Sequence, residues 1–213
     1  AQSVILSNEK GDKWTEGEIR IRLHIEDDQC YFGMGLQDRP LHRRSWRGES
    51  YTAQLHPPVA AAMAMLADPW VFVRVIDPFC GSGTILVESA LQMEDIEHIG
   101  FDIDPSAIAI ATQNAKLAEV DIELHLDDFI NHYKKVGEFM IVSNPPWGEK
   151  HNMDEKTLYD NLRYFINGSI SAVLLVPEEL KEKLKKTGQR IEEVCVTRVR
   201  GKLASILHIN PVT

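Results

Sequence analysis

Residues 71–84, Val-Phe-Val-Arg-Val-Ile-Asp-Pro-Phe-Cys-Gly-Ser-Gly-Thr, with the helical pattern that follows over 85–93, constrain this chain more than any other stretch. Val71, Val73, Val75 and Ile76 are β-branched, as suits a strand buried in a parallel sheet, and Asp77-Pro78 stops the ladder because proline has no N–H to donate. Gly81 and Gly83 then supply the turn. Lacking a Cβ, they admit positive φ and let a ligand lie close to the main chain at the N-terminus of a helix opening near Thr84. The stretch predicts strand, tight loop and helix, with a nucleoside-sized ligand over the loop.

Spacing separates the glycine loops that compete for this place. A phosphate-cradling NTPase loop needs Lys after its last Gly, where this chain has Thr84. A dinucleotide fingerprint needs a third Gly, and Leu86 stands there instead. Asp77 at the start of the loop opposes an anionic pyrophosphate but suits a cationic ligand. S-adenosylmethionine, with its ammonium and sulfonium, fits best; a glycine turn without a ligand is the plain alternative.

The remaining sequence bounds the answer. A chain of 213 residues, 44% hydrophobic and 26% charged, suits one α/β domain with an appendage. The most apolar run, 59–67, is far shorter than the roughly 20 residues of a membrane span. Cys30, Cys80 and Cys195 stand singly, which argues against a disulfide framework or a zinc site and favours a reducing cytosol. The chain begins at Ala1, which leaves open that it is a fragment of a longer protein. A net charge of -9 disfavours gripping nucleic acid by bulk electrostatics, so local clusters matter more. Arg39, Arg43, Arg44 and Arg47, with His42 and Trp46 among them, run without an acid until Glu49. They are expected to touch substrate phosphates, against the plainer reading of a solvated loop or ordinary ion pairs.

Taken in order, alternation over 18–25 and a second strand over 30–36 predict a hairpin, giving an N-terminal connecting segment at 1–36 and a main domain at 37–213. Pro57 opens a helix to about residue 66. Strands follow at 98–101, 122–126, 139–142 and 172–176, separated by helices at 105–117, 153–167 and 178–187. Residues 191–199 and 202–209 close as a hairpin around Arg200-Gly201. Repeated strand-helix units ending in an antiparallel pair imply a mostly parallel sheet with helices on both faces.

In such sheets ligands sit beyond the carboxyl ends of the strands, and four strands here end in acidic or Asn-Pro loops. Asp102 is placed to accept both ribose hydroxyls, while Asp104, directly before Pro105, suits a helix cap. Asp128 can accept from an adenine amino group with Phe129 packing its ring; helix capping is the plainer role of the Asp127-Asp128 pair. Asn144-Pro145-Pro146-Trp147 says most about chemistry. A base amino group is a poor nucleophile because its lone pair is delocalised, so an enzyme must orient and polarise it. The Asn144 side-chain oxygen and the Pro145 carbonyl can accept its two hydrogens, the prolines hold those acceptors rigidly, and Trp147 offers a flat face for an extruded base. A double-proline turn with a core Trp is the bland alternative.

With residues 77–85 and 143–149 both considered, the chain resembles the catalytic domain of THUMP-associated RNA guanine 2-amino methyltransferases. Leu41-His42-Arg43-Arg44, Trp46-Arg47 and Ala53-Gln54-Leu55 are similar to the segments before the cofactor loop in that family, and the likeness covers roughly 36–210. It implies a Rossmann-like seven-stranded fold and S-adenosylmethionine contacts at Asp77, Gly81, Gly83, Asp102 and Asp128. Phe79, Thr84, Ile103, Phe129 and Asn144 complete the expected cofactor set, and Asn144, Pro145 and Trp147 the catalytic one. Arg43, Arg44, Arg47, Pro146 and Trp147 are expected to meet the RNA, and no metal is implied. Two departures stand out: Trp147 occupies a place where Tyr or Phe is more usual, and no full THUMP domain fits before Ser45. A structured tRNA or rRNA would then need a missing RNA-binding part or a partner protein. The Asn-Pro-Pro-aromatic motif also occurs in DNA adenine methyltransferases and in glutamine methylating enzymes, and a non-catalytic cofactor-binding subunit is a further reading.

Overall fold

The structure, a computed structural model, describes residues 20–35, 42–47, 55–67, 74–132, 138–147, 154–199 and 201–210. They fall in two compact units, Ala1–Leu41 and His42–Thr213. In the first, β1 (Arg20–Glu26) and β2 (Gln29–Gly35) form an antiparallel hairpin pairing Arg20 with Gly35 and Glu26 with Gln29. Asp27, in the two-residue turn, has φ 51, a left-handed conformation that Asp tolerates better than most residues.

The second unit carries the sheet. Its strands are β3 (Arg74–Asp77), β4 (His98–Asp102), β5 (Glu123–Leu126), β6 (Phe139–Ser143), β7 (Ser171–Pro177), β8 (Arg190–Val199) and β9 (Lys202–Asn210), in the order β5-β4-β3-β6-β7-β9-β8. β5, β4, β3, β6 and β7 run parallel, and β9 and β8 add antiparallel to β7. The helices are α1 (Pro57–Ala67), α2 (Thr84–Ala90), α3 (Pro105–Ala118), α4 (Glu155–Gly168) and α5 (Glu178–Lys185). The Rossmann-like, mostly parallel sheet with an antiparallel C-terminal hairpin is thus observed as expected. Residues 71–73, at the start of the expected central strand, lie outside the described residues.

Period-two alternation explains the two layers of helices. Ile76, Ile141, Leu174 and Leu207 join one buried cluster with Leu158, Leu162 and Phe165 of α4 and Leu180 and Leu184 of α5. Their strand neighbours Val75, Met140, Val142, Val173 and Ile206 join a second with Ala60 and Met63 of α1 and Ile85 and Leu86 of α2. Both faces of the central strands are therefore dry, which is why they read as near-continuous apolar runs.

Local chemistry sets the ends. Asp104 caps α3 by accepting from the Ser106 N–H, with Pro105 at the first helical position, as the sequence predicts. α2 stops at Ala90, short of residue 93, because the Gln92 side chain takes the Glu88 carbonyl at 2.9 Å while its own N–H turns to Ser89. Gly100 is a crowded point: a Cβ there would lie 2.6 Å from Leu86 of α2 and 2.9 Å from Leu124 of the neighbouring strand β5.

Candidate active site

From β3 the chain crosses to β4 on one side, and β6 lies on the other, so the carboxyl ends of β4, β3 and β6 stand side by side at a topological switch point. Asp102, Asp77 and Ser143-Asn144 close those three strands. The glycine loop leaves β3 with Gly81 at φ 53 and Gly83 at φ 72, and the Gly83 N–H closes a turn on the Cys80 carbonyl at 2.9 Å. The two glycines serve different ends. A Cβ on Gly81 would meet nothing within 4 Å, so the space over it is open to a ligand. A Cβ on Gly83 would lie 3.0 Å from that of Ala111, so Gly83 admits α3 rather than a ligand.

The loop is tied on two sides. Asp102 accepts from the Gly81 N–H at 2.8 Å through one oxygen and from the Asp104 N–H at 2.9 Å through the other. Buried Asn114 of α3 donates to the Ser82 carbonyl at 2.9 Å, a contact that spacing alone does not disclose. Asp102 is half-buried and beside Ile103, whose side chain is 70% exposed and offers an apolar face at the strand end. A carboxylate fastened by backbone amides next to a bare glycine and an apolar face suits a ribose and a base, so the residues present fit S-adenosylmethionine.

Several expected contacts fall elsewhere. Asp77, expected at the cofactor, is 1% exposed and turned into the fold. One oxygen accepts from both the Phe79 N–H at 3.1 Å and the Ser143 hydroxyl at 2.6 Å, fastening β3 to β6. Burial pushes its carboxyl up to about 7, against the two hydrogen bonds, and Asp102 adds to the rise. Burial and the same two acids raise the Cys80 thiol well above its ordinary range. Thr84 is buried, with its hydroxyl 3.2 Å from that of Ser82. Phe129 is fully buried among Phe101, Phe139 and Phe165, so its ring packs the core and cannot face an adenine. Phe79 is half-buried against the same cluster. Asp128 caps the 3-10 turn Phe129–Asn131 by accepting from the Ile130 N–H at 3.1 Å, so one of its oxygens serves the fold.

The Asn-Pro-Pro-Trp turn leaves β6 directly after Ser143. Pro145 is buried and Asn144, Pro146 and Trp147 are half-buried. The Trp147 indole N–H donates to the Asn144 side-chain oxygen at 3.1 Å, and its ring packs against the α1–α2 cluster. The acceptor expected for a base amine thus already accepts one hydrogen, and much of the expected stacking surface rests on the core.

The basic segment is also more structural than its composition implies. Arg44 is held by Glu88 of α2, at 2.6 Å from Nε and 3.2 Å from Nη2. Its Nε and Nη2 are thus tied to the fold, where the sequence leads one to expect a phosphate contact. Arg47 donates to the Leu55 carbonyl at 3.4 Å, and burial lowers its pKa. Trp46 is buried against Val87 and Ala115. Arg43 is exposed, and Arg39 lies outside the described residues. Glu88, 44 positions away on a neighbouring helix, is the acid that a local scan of charges misses. Among the described residues no group of three or more His, Cys, Asp or Glu could hold a metal ion, and no helix is long and apolar enough to cross a membrane.

Residues 44–203 match the family described as RMKL-like, methyltransferase domain. The chain belongs to this family. Among relatives of this RMKL-like domain, the ribosomal RNA large subunit methyltransferase K/L of Syntrophotalea carbinolica is 30% identical over 78% of this chain and 31% of that protein. The protein of the same name from Shewanella frigidimarina is 27% identical over 84% of this chain and 29% of that protein. The chain thus spans less than a third of the length of these curated relatives. Among solved structures, TrmN from Thermus thermophilus superposes with a TM-score of 0.71 at 24% identity, over 91% of this chain and 60% of that one. SMU.472 complexed with SAH gives 0.70 at 18% identity, over 92% and 62%. The fold is shared with both, and the family model makes residues 44–203 a methyltransferase domain.

Proposed function

We propose that this chain methylates the exocyclic amino group of a nucleobase, with guanine N2 of large-subunit ribosomal RNA the leading target, in the cytoplasm. The observation that carries this reading is the adjacency of two loops: the glycine loop leaves β3 and Asn144-Pro145-Pro146-Trp147 leaves β6, on strands paired in parallel at Ile76 and Ile141. Methyl donor and amine acceptor would meet across that boundary. Gly81, Asp102, Ile103 and Asp128 would hold S-adenosylmethionine, which supplies an electrophilic methyl group when bound. Asn144 Oδ1 and the Pro145 carbonyl accept the two amine hydrogens, which restores lone-pair density to the nitrogen and stabilises the positive charge that develops there. No strong base is needed, because the methylated amine is cationic and sheds its proton to solvent.

That the relatives are ribosomal RNA large subunit methyltransferases favours ribosomal RNA over DNA. RNA recognition would rest on chain beyond the methyltransferase domain, for which 1–36 is the connecting segment, or on a partner protein. Exposed Arg43 is the phosphate contact this reading retains. Methyl-labelled cofactor incubated with a large-subunit rRNA transcript, genomic DNA or protein extract tests it. Label is expected in RNA as N2-methylguanine, and Asn144→Ala should slow single-turnover transfer by about a hundredfold or more with cofactor binding intact. Label in DNA or protein alone, or transfer by Asn144→Ala at the parent rate, refutes it.

A further inference from the structure

The pairing of Trp147 with Asn144 has a use beyond stacking. We infer that Trp147 is a positioning residue: its indole N–H fixes the Asn144 amide so that the oxygen, not the NH2, faces the reacting amine. This inference rests on the proposed amino-group methylation. An Asn side chain has two nearly isosteric ends and a broad, roughly two-fold χ2, so a loosely held amide also presents its NH2, which cannot accept a hydrogen from the base. The indole nitrogen is a donor only, so at 3.1 Å it selects the amide oxygen. That oxygen has two lone-pair sites, one taken by the indole and one left for an amine hydrogen.

The donor is itself held firmly. The Trp147 ring packs on the buried cluster that includes Leu55, Met63 and Val142, and Pro145-Pro146 limit the backbone between donor and acceptor. The core therefore holds the indole, and the indole holds the amide. Phe or Tyr at 147 could supply a ring but no donor at that place. The tryptophan is thus more than a tolerated aromatic substitute. It presets the acceptor before the base arrives, so that less ordering is left for the moment of reaction.

Replacing Trp147 site-specifically with benzothienylalanine, in which sulfur stands for the indole N–H, removes the donor and keeps the shape. Single-turnover methyl transfer to a large-subunit rRNA transcript is expected to slow about three- to tenfold, the scale of one net hydrogen bond, with half-saturating RNA unchanged. In the Asn144→Ala protein the same replacement should change nothing further. Equal slowing in both backgrounds, or none in the parent, overturns the inference. A second readout needs no turnover: the nitrogen-15 indole resonance of Trp147 should move on Asn144→Ala. An unmoved resonance overturns the pairing even if RNA is methylated. A moved resonance in a protein that labels DNA or protein alone overturns the proposed function and leaves the pairing standing.

Discussion

Asp77→Asn should make the folded protein more stable at pH 8 and remove one component of its pH dependence. The carboxyl is 1% exposed, and burial lifts it from an ordinary 3.8 to about 7. That rise is about three units, and at 1.36 kcal/mol per unit the ionised form carries a folding penalty of about 4 kcal/mol. Between pH 4 and pH 7 the native state keeps a proton that the unfolded chain has lost. The stabilising contribution of Asp77 is therefore full below about pH 4 and is lost as pH rises through about 7. Asn is neutral throughout and retains an oxygen to accept from Phe79 and Ser143. Asp127, brought down to about 2 chiefly by its hydrogen bond to His132, titrates in the opposite sense, so the difference between the two proteins isolates Asp77. Urea unfolding of the cofactor-free protein from pH 5 to 8.5 provides the assay. The stability of Asp77→Asn relative to the parent should grow by about 1.4 kcal/mol per pH unit up to pH 7 and then level off. A difference independent of pH refutes the argument, and with it the claim that this acid is desolvated in the fold.

The two loop glycines should separate fold from ligand. Gly83→Ala places a Cβ at φ 72 and 3.0 Å from Ala111, and should destabilise by about 2 to 4 kcal/mol in thermal or urea unfolding; Gly81→Ala should cost only about 1 to 2 kcal/mol while weakening cofactor binding by calorimetry. Arg44→Ala leaves buried Glu88 without its guanidinium and should lower stability by about 2 to 3 kcal/mol, whereas Arg43→Ala should leave stability unchanged and reduce the salt slope of RNA binding by about one unit. Asp102→Ala should weaken cofactor affinity by about 1.5 to 3 kcal/mol in calorimetry, because it removes both the acceptor and the tie on the Gly81 N–H.

The architecture was legible because its signals are local and repeated. Gly-Ser-Gly after a β-branched run, Pro105 behind a capping Asp, and apolar runs too short for helices each act within a few residues, and the observed strands and helices begin within about two positions of those cues. What escaped was everything decided across the fold. The charge of Arg44 looked unanswered because its partner lies on α2. Phe129 looked available because it follows an acidic strand end, yet the turn after Asp128 drives its ring inward to three other phenylalanines. Asp77 suggests a cofactor contact because it opens the loop, whereas parallel pairing of β3 with β6 delivers the Ser143 hydroxyl to it. Gly100 gave no sign at all, since what requires it is crowding by Leu86 of α2, Leu124 of β5 and Cys80, all distant in sequence. The Asn144–Trp147 contact spans only three residues, but the motif signals the aromatic face of Trp147 and carries no mark of where its N–H points.

The parallel pairing of β3 with β6 works as a gauge. Hydrogen-bonded strands stand about 4.8 Å apart, a spacing set by the peptide group and indifferent to side chains, so two loops emerging from neighbouring strands inherit a fixed separation. The Asp77–Ser143 hydrogen bond pins that spacing at its outer end, where strands would otherwise begin to splay. A loop can change its sequence without altering how far apart the two strand ends stand. Loop chemistry and loop spacing are thereby uncoupled: the first lies in the side chains, the second in the backbone of the sheet.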